Sequence, residues 1–320
     1  SVVTTIFPEF SWAKSILGNR ADSVKLELLM KNGVDLHSYK PTAHDVAKIA
    51  SADMVIYVGG ESDEWIKDAL TASPKKGRIE INLMDVLGDR VKAEEIVEGM
   101  QAEEEHHEHN KVIARAEQRR SKPAEVTHKD EHEQHHHDEE VENDEHVWLS
   151  LKNAEIIVKK IAEELSKLDA AHATIYKQNT DAYVAQIQAL DAEYRETVEK
   201  AARKTVLFGD RFPFRYLVDD YSIKYYAAFV GCSAESEASF ETIAFLAGKM
   251  DAESLPVIFT IENSNGKIAK AVLAASKKSQ NAHILILKSM QSVTEKQIAE
   301  GIDYLSLMKS NLDVLKKALN

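Results

Sequence analysis

Two histidines occupy places where the chain is expected to hold a side chain in a fixed position. His37 lies in residues 33–42 (GVDLHSYKPT), a predicted loop between a strand and a helix, and such loops carry many functional residues of α/β folds. His146 lies in residues 144–149 (DEHVWL), where a polar tract meets core-like residues. Neutral imidazole is a common ligand of transition metals. The pair predicts a metal site, and the alternative is two surface histidines without partners.

A second group of histidines lies in the polar tract that precedes His146, within the first half of the chain. It has eight members among many acidic residues, namely His106, His107, His109, His128, His132, His135, His136 and His137. Such a tract chelates cations transiently and raises their local concentration without fixing their geometry. The alternative is a charged, solvated linker. Residues 132–136 (HEQHH) match the H-E-x-x-H pattern of zinc proteases, but the surrounding residues lack the apolar helix face that the motif requires.

The sequence contains one cysteine, Cys232. One cysteine excludes an internal disulfide and excludes sites built from several thiolates. From this count we expect a metal site made of nitrogen and oxygen ligands. Such ligands suit zinc, manganese, nickel or ferrous iron better than copper(I), which prefers sulfur.

The elements that position these residues alternate between strands and helices in the first part of the chain. Short apolar runs predict strands at residues 2–7, 24–30, 54–58 and 78–83, and helical patterns fall at 9–17, 42–51 and 63–70. Thr42 and Asp45 form a capping box at the start of the second helix. From about residue 93 to 144 the aliphatic positions disappear, and the segment is predicted to be a disordered insertion.

Alternation resumes after two long helical patterns, at residues 151–168 and 170–202. Strands are predicted at 205–208, 224–229, 257–261 and 283–287, with helices at 240–250, 267–276 and 294–319. The fold class is therefore α/β, with two mostly parallel sheets flanked by helices. We expect a first lobe at 1–169, a linking helix at 170–203 and a second lobe at 204–320, with the ligand in the cleft at the carboxyl ends of the strands.

Length and charge restrict the function. At 320 residues and 44% hydrophobic composition, the chain is long enough for two domains. The net charge of −13 argues against a nucleic-acid partner, which requires clustered basic charge. No apolar run reaches the roughly 18 residues that span a bilayer. Because Ser1 begins directly on a strand-like run, an export signal or a lipid-carrying cysteine would lie outside the numbered chain.

Residues 33–58, with a histidine, a tyrosine and a Pro-Thr helix start followed by ADMVIY, resemble the metal-binding subunits of bacterial zinc and manganese ABC importers. Zinc-specific members of that family carry a histidine-rich acidic loop before a ligand histidine that is followed by tryptophan and leucine, as in residues 146–149 (HVWL). The resemblance covers nearly the whole chain. It implies two α/β lobes joined by a long rigid helix, a membrane permease as partner, a monomeric state and a periplasmic or extracellular location with a lipid anchor in some members.

The resemblance also implies a ligand set. His37 and His146 correspond to the first and second family ligands. The third follows the first strand of the second lobe, where Asp210 is the available carboxylate and Arg211 is a competing partner for it. The fourth family ligand is commonly an acid after the last strand, but this chain reads KSMQ there. The candidates for the fourth ligand are therefore Asp35, Glu61 or a water molecule, with Glu235 and Glu237 as further candidates. The loop favours Zn²⁺, and Mn²⁺ is the alternative.

The resemblance predicts a receptor that captures zinc outside the cytoplasm and delivers it to the permease, with no bond broken. Three alternatives stay open. A receptor of the same fold would bind manganese or iron. A zinc buffer or chaperone would hold most metal in the loop. A zinc-dependent hydrolase would need a rigid general base beside the metal, which the sequence does not offer.

Overall fold

A computed structural model describes residues 1–31, 33–101, 142–233 and 237–320. Its first sheet has four parallel strands in the order β2-β1-β3-β4, namely β1 (Val2–Thr4), β2 (Leu26–Leu28), β3 (Met54–Tyr57) and β4 (Ile79–Asn82). Val3 of the central strand pairs with Glu27 on one side and Val55 on the other. The predicted parallel sheet of the first lobe is confirmed.

Helices cover this sheet as the apolar periodicity predicted. They are α1 (Phe7–Leu17), α2 (Ala43–Ser51), α3 (Trp65–Ala72) and the short α4 (Leu83–Leu87), which follows β4 directly. The capping box at the start of α2 is present, because Thr42 Oγ1 accepts from the Asp45 amide and the Asp45 carboxylate accepts from the Thr42 amide. This cap ends the loop that carries His37.

The prediction of a disordered insertion over about 93–144 was too wide at both ends. Ala93 forms an antiparallel bridge with Asn143, and the Gln101 amide donates to the Ala228 carbonyl on the second sheet. Tyr225 also donates a hydrogen bond to Glu95. Polar composition misled the prediction, because this segment is held by the surface of the second lobe instead of by a core of its own. Residues 102–141 lie outside the described part of the chain.

Two helices connect the sheets, α5 (Leu151–Leu168) and α6 (Ala173–Lys200). α5 has the predicted bounds, and Ser150 caps it by accepting a hydrogen bond from the Asn153 amide. α6 has 28 residues, which corresponds to about 42 Å. It is the predicted rod, preceded by a 3₁₀ turn at Ala170–His172. The exact domain boundaries at 169/170 and 203/204 stay a prediction.

The second sheet repeats the architecture of the first in the order β6-β5-β7-β8, again with all strands parallel. Its elements are β5 (Thr205–Phe212), β6 (Lys224–Val230), β7 (Val257–Thr260), β8 (His283–Ile286), α7 (Arg215–Asp220), α8 (Phe240–Glu253) and α9 (Lys267–Ala275). β5 extends four residues beyond the predicted end, with an irregularity in its pairing between Phe208 and Arg211. The polar Gly-Asp-Arg sequence concealed this extension.

The predicted helix over 294–319 is two helices, α10 (Glu295–Ala299) and α11 (Tyr304–Leu319). Gly301 has a φ of 91°, which is outside the helical range, and Asp303 caps the new helix. α11 then packs against the first lobe, where the Tyr304 amide donates to Ser11 Oγ and the Tyr304 hydroxyl donates to the Trp148 carbonyl. One hydrophobic core accordingly contains residues of both sheets.

Within these described ranges, none of the helices combines the length and the apolar character that crossing a membrane requires.

Candidate metal centre

His37 is held in a 3₁₀ turn, Leu36–Ser38, that follows the first sheet's edge strand β2. Asp35 caps the turn by accepting a hydrogen bond from the His37 amide at 3.0 Å. The His37 Nδ1 lies 2.7 Å from Ser62 Oγ. With Nδ1–H donating to this oxygen, the lone pair of Nε2 points away from the turn and is available to a ligand.

Ser62 is itself fixed by buried carboxylates. It lies in the 3₁₀ turn Glu61–Asp63 after β3, where the Asp63 side chain accepts from the amides of Val58 and Gly59. The Ser62 amide donates to Glu145 Oε1 at 2.8 Å. A Cβ atom at Gly60 would lie 2.2 Å from that oxygen, so only glycine lets Glu145 approach this closely.

His146 is fully buried and follows directly after Glu145. Its amide and its Nδ1 both donate to Asp144 Oδ1, at 2.8 and 2.9 Å. Because an ionised carboxylate only accepts hydrogen bonds, this contact assigns the Nδ1 proton and directs Nε2 away from Asp144. On the other side, Gly231 gives the ring room, since a Cβ atom there would lie 2.9 Å from His146 Cε1.

The two Nε2 atoms face one another at 3.1 Å. Two nitrogen ligands at about 2.0–2.1 Å from a tetrahedral zinc ion lie about 3.3 Å apart, so the observed separation is close to that of two ligands of one ion. Two lone pairs in this geometry repel one another unless a cation or a proton lies between them. The arrangement therefore suits either a shared metal ion or a shared proton.

The electrostatics of the pair are unequal. Burial opposes the charge of His146, but the Asp144 carboxylate outweighs burial and raises the pKa of His146 above its ordinary value. Burial and the neighbouring charge of His146 lower the pKa of His37 to about 3. When His146 carries a proton on Nε2, the neutral His37 ring accepts the hydrogen bond from it.

Cys232 completes a group of three metal-ligating side chains with this pair. One donor atom from each of His37, His146 and Cys232 lies within 4.8 Å of the other two. Cys232 follows β6, and its amide donates to Glu94 Oε1 at 3.1 Å. The expectation of nitrogen and oxygen ligands alone was too strict, because one cysteine excludes a site with several thiolates but not a mixed site with one. The signal in the sequence was a cysteine three residues after the end of a predicted strand.

Asp210 and Asp35 lie in the cleft between the lobes, in a cavity of about 400 Å³ that His37 also lines. The Asp210 carboxylate accepts hydrogen bonds from the amides of Arg211 and Ile261. Arg211 does not pair with Asp210 through its guanidinium. It forms an ion pair at 2.8 Å with Asp35 across the cleft. Asp210 is outside the group of three, and its role as a ligand stays a prediction.

The remaining candidates lie in different surroundings. Glu61 and Glu237 are exposed to solvent. Glu235 and the eight histidines of the loop lie outside the described residues. Among the histidines not proposed as ligands, His44 and His283 are exposed, and His172 contacts Asp169 at the start of α6.

Comparison with known proteins assigns the family. Residues 2–318 match the family model described as zinc-uptake complex component A, periplasmic. The high-affinity zinc uptake system protein ZnuA of Bacillus subtilis is 28% identical over 318 residues, which cover 99% of this chain and 87% of that protein. The zinc-binding protein AdcA of Streptococcus pyogenes is 27% identical over 98% of this chain, and the chain spans about half the length, 55%, of that relative.

Solved structures give the same result. The Zn(II)-bound ZnuA-like domain of Streptococcus pneumoniae AdcA superposes with a TM-score of 0.69 at 25% identity, over 99% of this chain and 98% of that one. The metal-dependent lipoprotein YcdH of Bacillus subtilis superposes with a TM-score of 0.70, also at 25% identity and with the same coverage. With a family match from residue 2 to residue 318 and two parallel sheets facing one metal-ligating cluster, this chain belongs to the family of periplasmic zinc-uptake component A proteins.

Proposed function

We propose that the chain is the zinc-binding receptor of an ABC importer, which captures Zn²⁺ outside the cytoplasm and delivers it to a membrane permease. The observation that carries the proposal is the pair of Nε2 atoms of His37 and His146, 3.1 Å apart in the cleft. Each ring is oriented through its other nitrogen, by Ser62 or by Asp144. Binding and release of the ion, with no bond broken in a substrate, is the function.

The names of the relatives support the same cargo. The Bacillus subtilis relative is a zinc uptake protein, and a Streptococcus pneumoniae relative, 28% identical over 99% of this chain, is a zinc-binding lipoprotein. A lipid anchor outside the cytoplasmic membrane would place the receptor beside its permease. For this chain, the anchor, the location and the permease are part of the proposal.

The test is zinc binding by histidine variants. His37→Ala and His146→Ala are each expected to weaken zinc binding more than tenfold, because each removes one nitrogen ligand and leaves the other ring unpaired. Affinity is measured by competition with a chromophoric chelator. His44→Ala and His283→Ala are matched controls, because both side chains are exposed, and they are expected to keep the normal affinity. Normal affinity in His37→Ala or His146→Ala would remove that residue from the site.

Asp210→Asn tests the predicted third ligand in the same assay. If Asp210 binds the ion, the loss is comparable to that of a histidine variant. If its oxygens serve only the amides of Arg211 and Ile261, the amide oxygen of asparagine replaces part of that role and zinc affinity is nearly unchanged.

A zinc buffer is the competing function, and a variant of the histidine-rich loop distinguishes it from a receptor. Replacing all eight loop histidines with glutamine keeps the length of the chain and removes the loop's imidazoles. A receptor is expected to retain one tight site per chain and to lose only additional, weaker zinc equivalents, as counted by isothermal titration. Loss of all tight binding would support the buffer instead.

A further inference from the structure

We propose that Cys232 supplies a thiolate as the third protein ligand, and that this sulfur makes the site selective for zinc over manganese. The inference rests on the proposed function and adds to it the identity of a ligand and the basis of metal choice. The single cysteine of the chain has no disulfide partner, so its sulfur is available for a metal.

The three donor atoms lie close enough to bind one ion after a small movement. The Cys232 sulfur and the two imidazole nitrogens lie within 4.8 Å of one another. In a tetrahedral zinc site, with bonds of about 2.3 Å to sulfur and about 2.0–2.1 Å to nitrogen, sulfur and nitrogen lie about 3.6 Å apart. A closure of at most about 1.2 Å therefore brings all three donors to bonding distance.

The backbone around Cys232 is placed for this role. The residue follows the carboxyl end of β6, and a hydrogen bond from its amide to Glu94 ties it to the segment whose Ala93 pairs with Asn143, just before Asp144. Gly231, immediately before it, admits the His146 ring. The same short stretch therefore makes room for the second histidine and presents the sulfur beside it.

Asp210 competes less well for the third position. Among the described residues, the cluster of donor atoms around the two imidazoles includes the Cys232 sulfur and does not include the Asp210 carboxylate, which accepts hydrogen bonds from two backbone amides. The Cys232 thiol instead contacts the Glu94 carboxylate.

The local charge explains how a thiol becomes a ligand here. Burial and the charges of Glu94 and Asp144 raise the pKa of the Cys232 thiol above its ordinary value, so the metal-free side chain keeps its proton. The same negative charges attract a divalent cation. When Zn²⁺ binds, the sulfur–hydrogen bond breaks, the sulfur keeps the electron pair and donates it to zinc, and the proton leaves through Glu94 to solvent.

A mixed set of two imidazoles and one thiolate leaves one of zinc's four positions for water or a carboxylate. Thiolate is a soft ligand that suits zinc, whereas manganese prefers oxygen. A thiolate ligand would therefore raise the affinity of the site for Zn²⁺ relative to Mn²⁺, even if both ions can enter the cleft.

The experiment uses the full chain and cobalt(II), a spectroscopic substitute for zinc. Ligand-field bands in the visible range report that the ion is bound, and a sulfur-to-cobalt charge-transfer band in the near ultraviolet reports a thiolate ligand. We expect both in the wild-type protein. In Cys232→Ser, the charge-transfer band should disappear while visible bands remain. Because the chain has one cysteine, the band has only one source.

The outcomes separate the two proposals. Bound cobalt whose visible bands depend on His37 and His146, without a charge-transfer band, would overturn the thiolate ligand and leave the receptor function standing. Bound cobalt insensitive to both histidines would overturn the receptor site itself.

A second measurement compares the affinities of the protein for zinc and for manganese. Cys232→Ser is expected to weaken zinc binding at least tenfold and to reduce the ratio of zinc to manganese affinity, with Asp210→Asn as the comparison variant. An unchanged ratio in Cys232→Ser, or a larger loss in Asp210→Asn, would contradict the inference. Circular dichroism and the melting temperature of Cys232→Ser, measured without metal, verify that the variant is folded.

Discussion

At the scale of single residues, the site is built from hydrogen bonds that decide which nitrogen of each histidine is free. Asp144 accepts a hydrogen bond from Nδ1 of His146, and the Ser62 hydroxyl oxygen accepts the corresponding hydrogen bond from Nδ1 of His37. Both rings thereby present Nε2 to the cleft. The ligands are oriented before the ion arrives, which lowers the ordering cost of binding.

The proton held by His146 predicts how zinc affinity depends on pH. The raised pKa of His146 means that protons compete with zinc already above the ordinary histidine value of about 6.5. His37, with a pKa of about 3, adds no competition near neutrality. Apparent affinity should fall as the pH is lowered, with His146 contributing up to tenfold per pH unit below its pKa, and the slope should steepen there over the constant dependence that a thiol proton released from Cys232 would add. The measurement is chelator competition between about pH 5.5 and 8.5.

Asp144→Asn supplies the control for the sign of this effect. Removing the carboxylate removes the charge that raises the His146 pKa, so the onset of the affinity loss should move to lower pH, while the affinity at high pH also falls because the ring is less firmly oriented. An onset that stays at the wild-type pH would show that another group carries the competing proton.

At the scale of elements, the carboxyl ends of two parallel sheets supply the donors. β2 leads to His37, and β6 leads to Cys232. In the second sheet, β5 packs closely on α9 at Gly209, where a Cβ atom would lie 2.6 Å from the Cα of Ala269. Since backbone atoms are at the short distance, no side-chain movement can relieve the clash.

Gly209→Ala should therefore destabilise the protein, by about 1–3 kcal/mol, since β5 and α9 must separate to admit the methyl group. Gly248→Ala is the matched control in α8, where no atom lies within 4 Å of the added Cβ. It should be neutral or stabilising by up to about 1 kcal/mol, because alanine favours the helix. Chemical denaturation of both variants measures the difference, and equal stability would refute the close packing of α9 on β5.

At the scale of the whole molecule, several contacts tie the lobes together besides α6. Asp35 pairs with Arg211 across the cleft, and Trp148 Nε1 donates to the Ser289 carbonyl at 2.8 Å. The core shared by both sheets would have to be exposed to water if the lobes separated widely. Metal release is therefore expected to involve loops at the cleft more than a wide opening of the lobes.

Small-angle scattering tests this expectation. The profile should be the same with and without zinc and should correspond to a monomer of 35.8 kDa. The variant with eight loop histidines replaced by glutamine is the better sample, because zinc cannot then compact the loop. A marked compaction on adding zinc to that variant would establish lobe closure instead.

The sequence by itself predicted most of the elements and identified two histidines as candidate ligands. Period-2 and period-3.6 patterns are local, so they predicted both sheets, the bounds of α5 and the long helix α6. His37 and His146 were found because one lies in a strand-to-helix loop and the other at the margin of ordered residues. Local patterns failed where tertiary contacts decide, as at residues 93–101, which contact the second sheet, and at Gly301, which divides the last helix.

Only the tertiary structure decided what stands beside the two histidines. Cys232 is 86 residues from His146 in the chain, and no local pattern reports the approach of β6 to that ring. Likewise, the sequence suggested Asp210 as the partner of Arg211, whereas in the fold Arg211 pairs with Asp35 across the cleft. A site formed at the meeting of two sheets depends on long-range packing, whereas the residue types that can bind zinc are visible in the sequence alone.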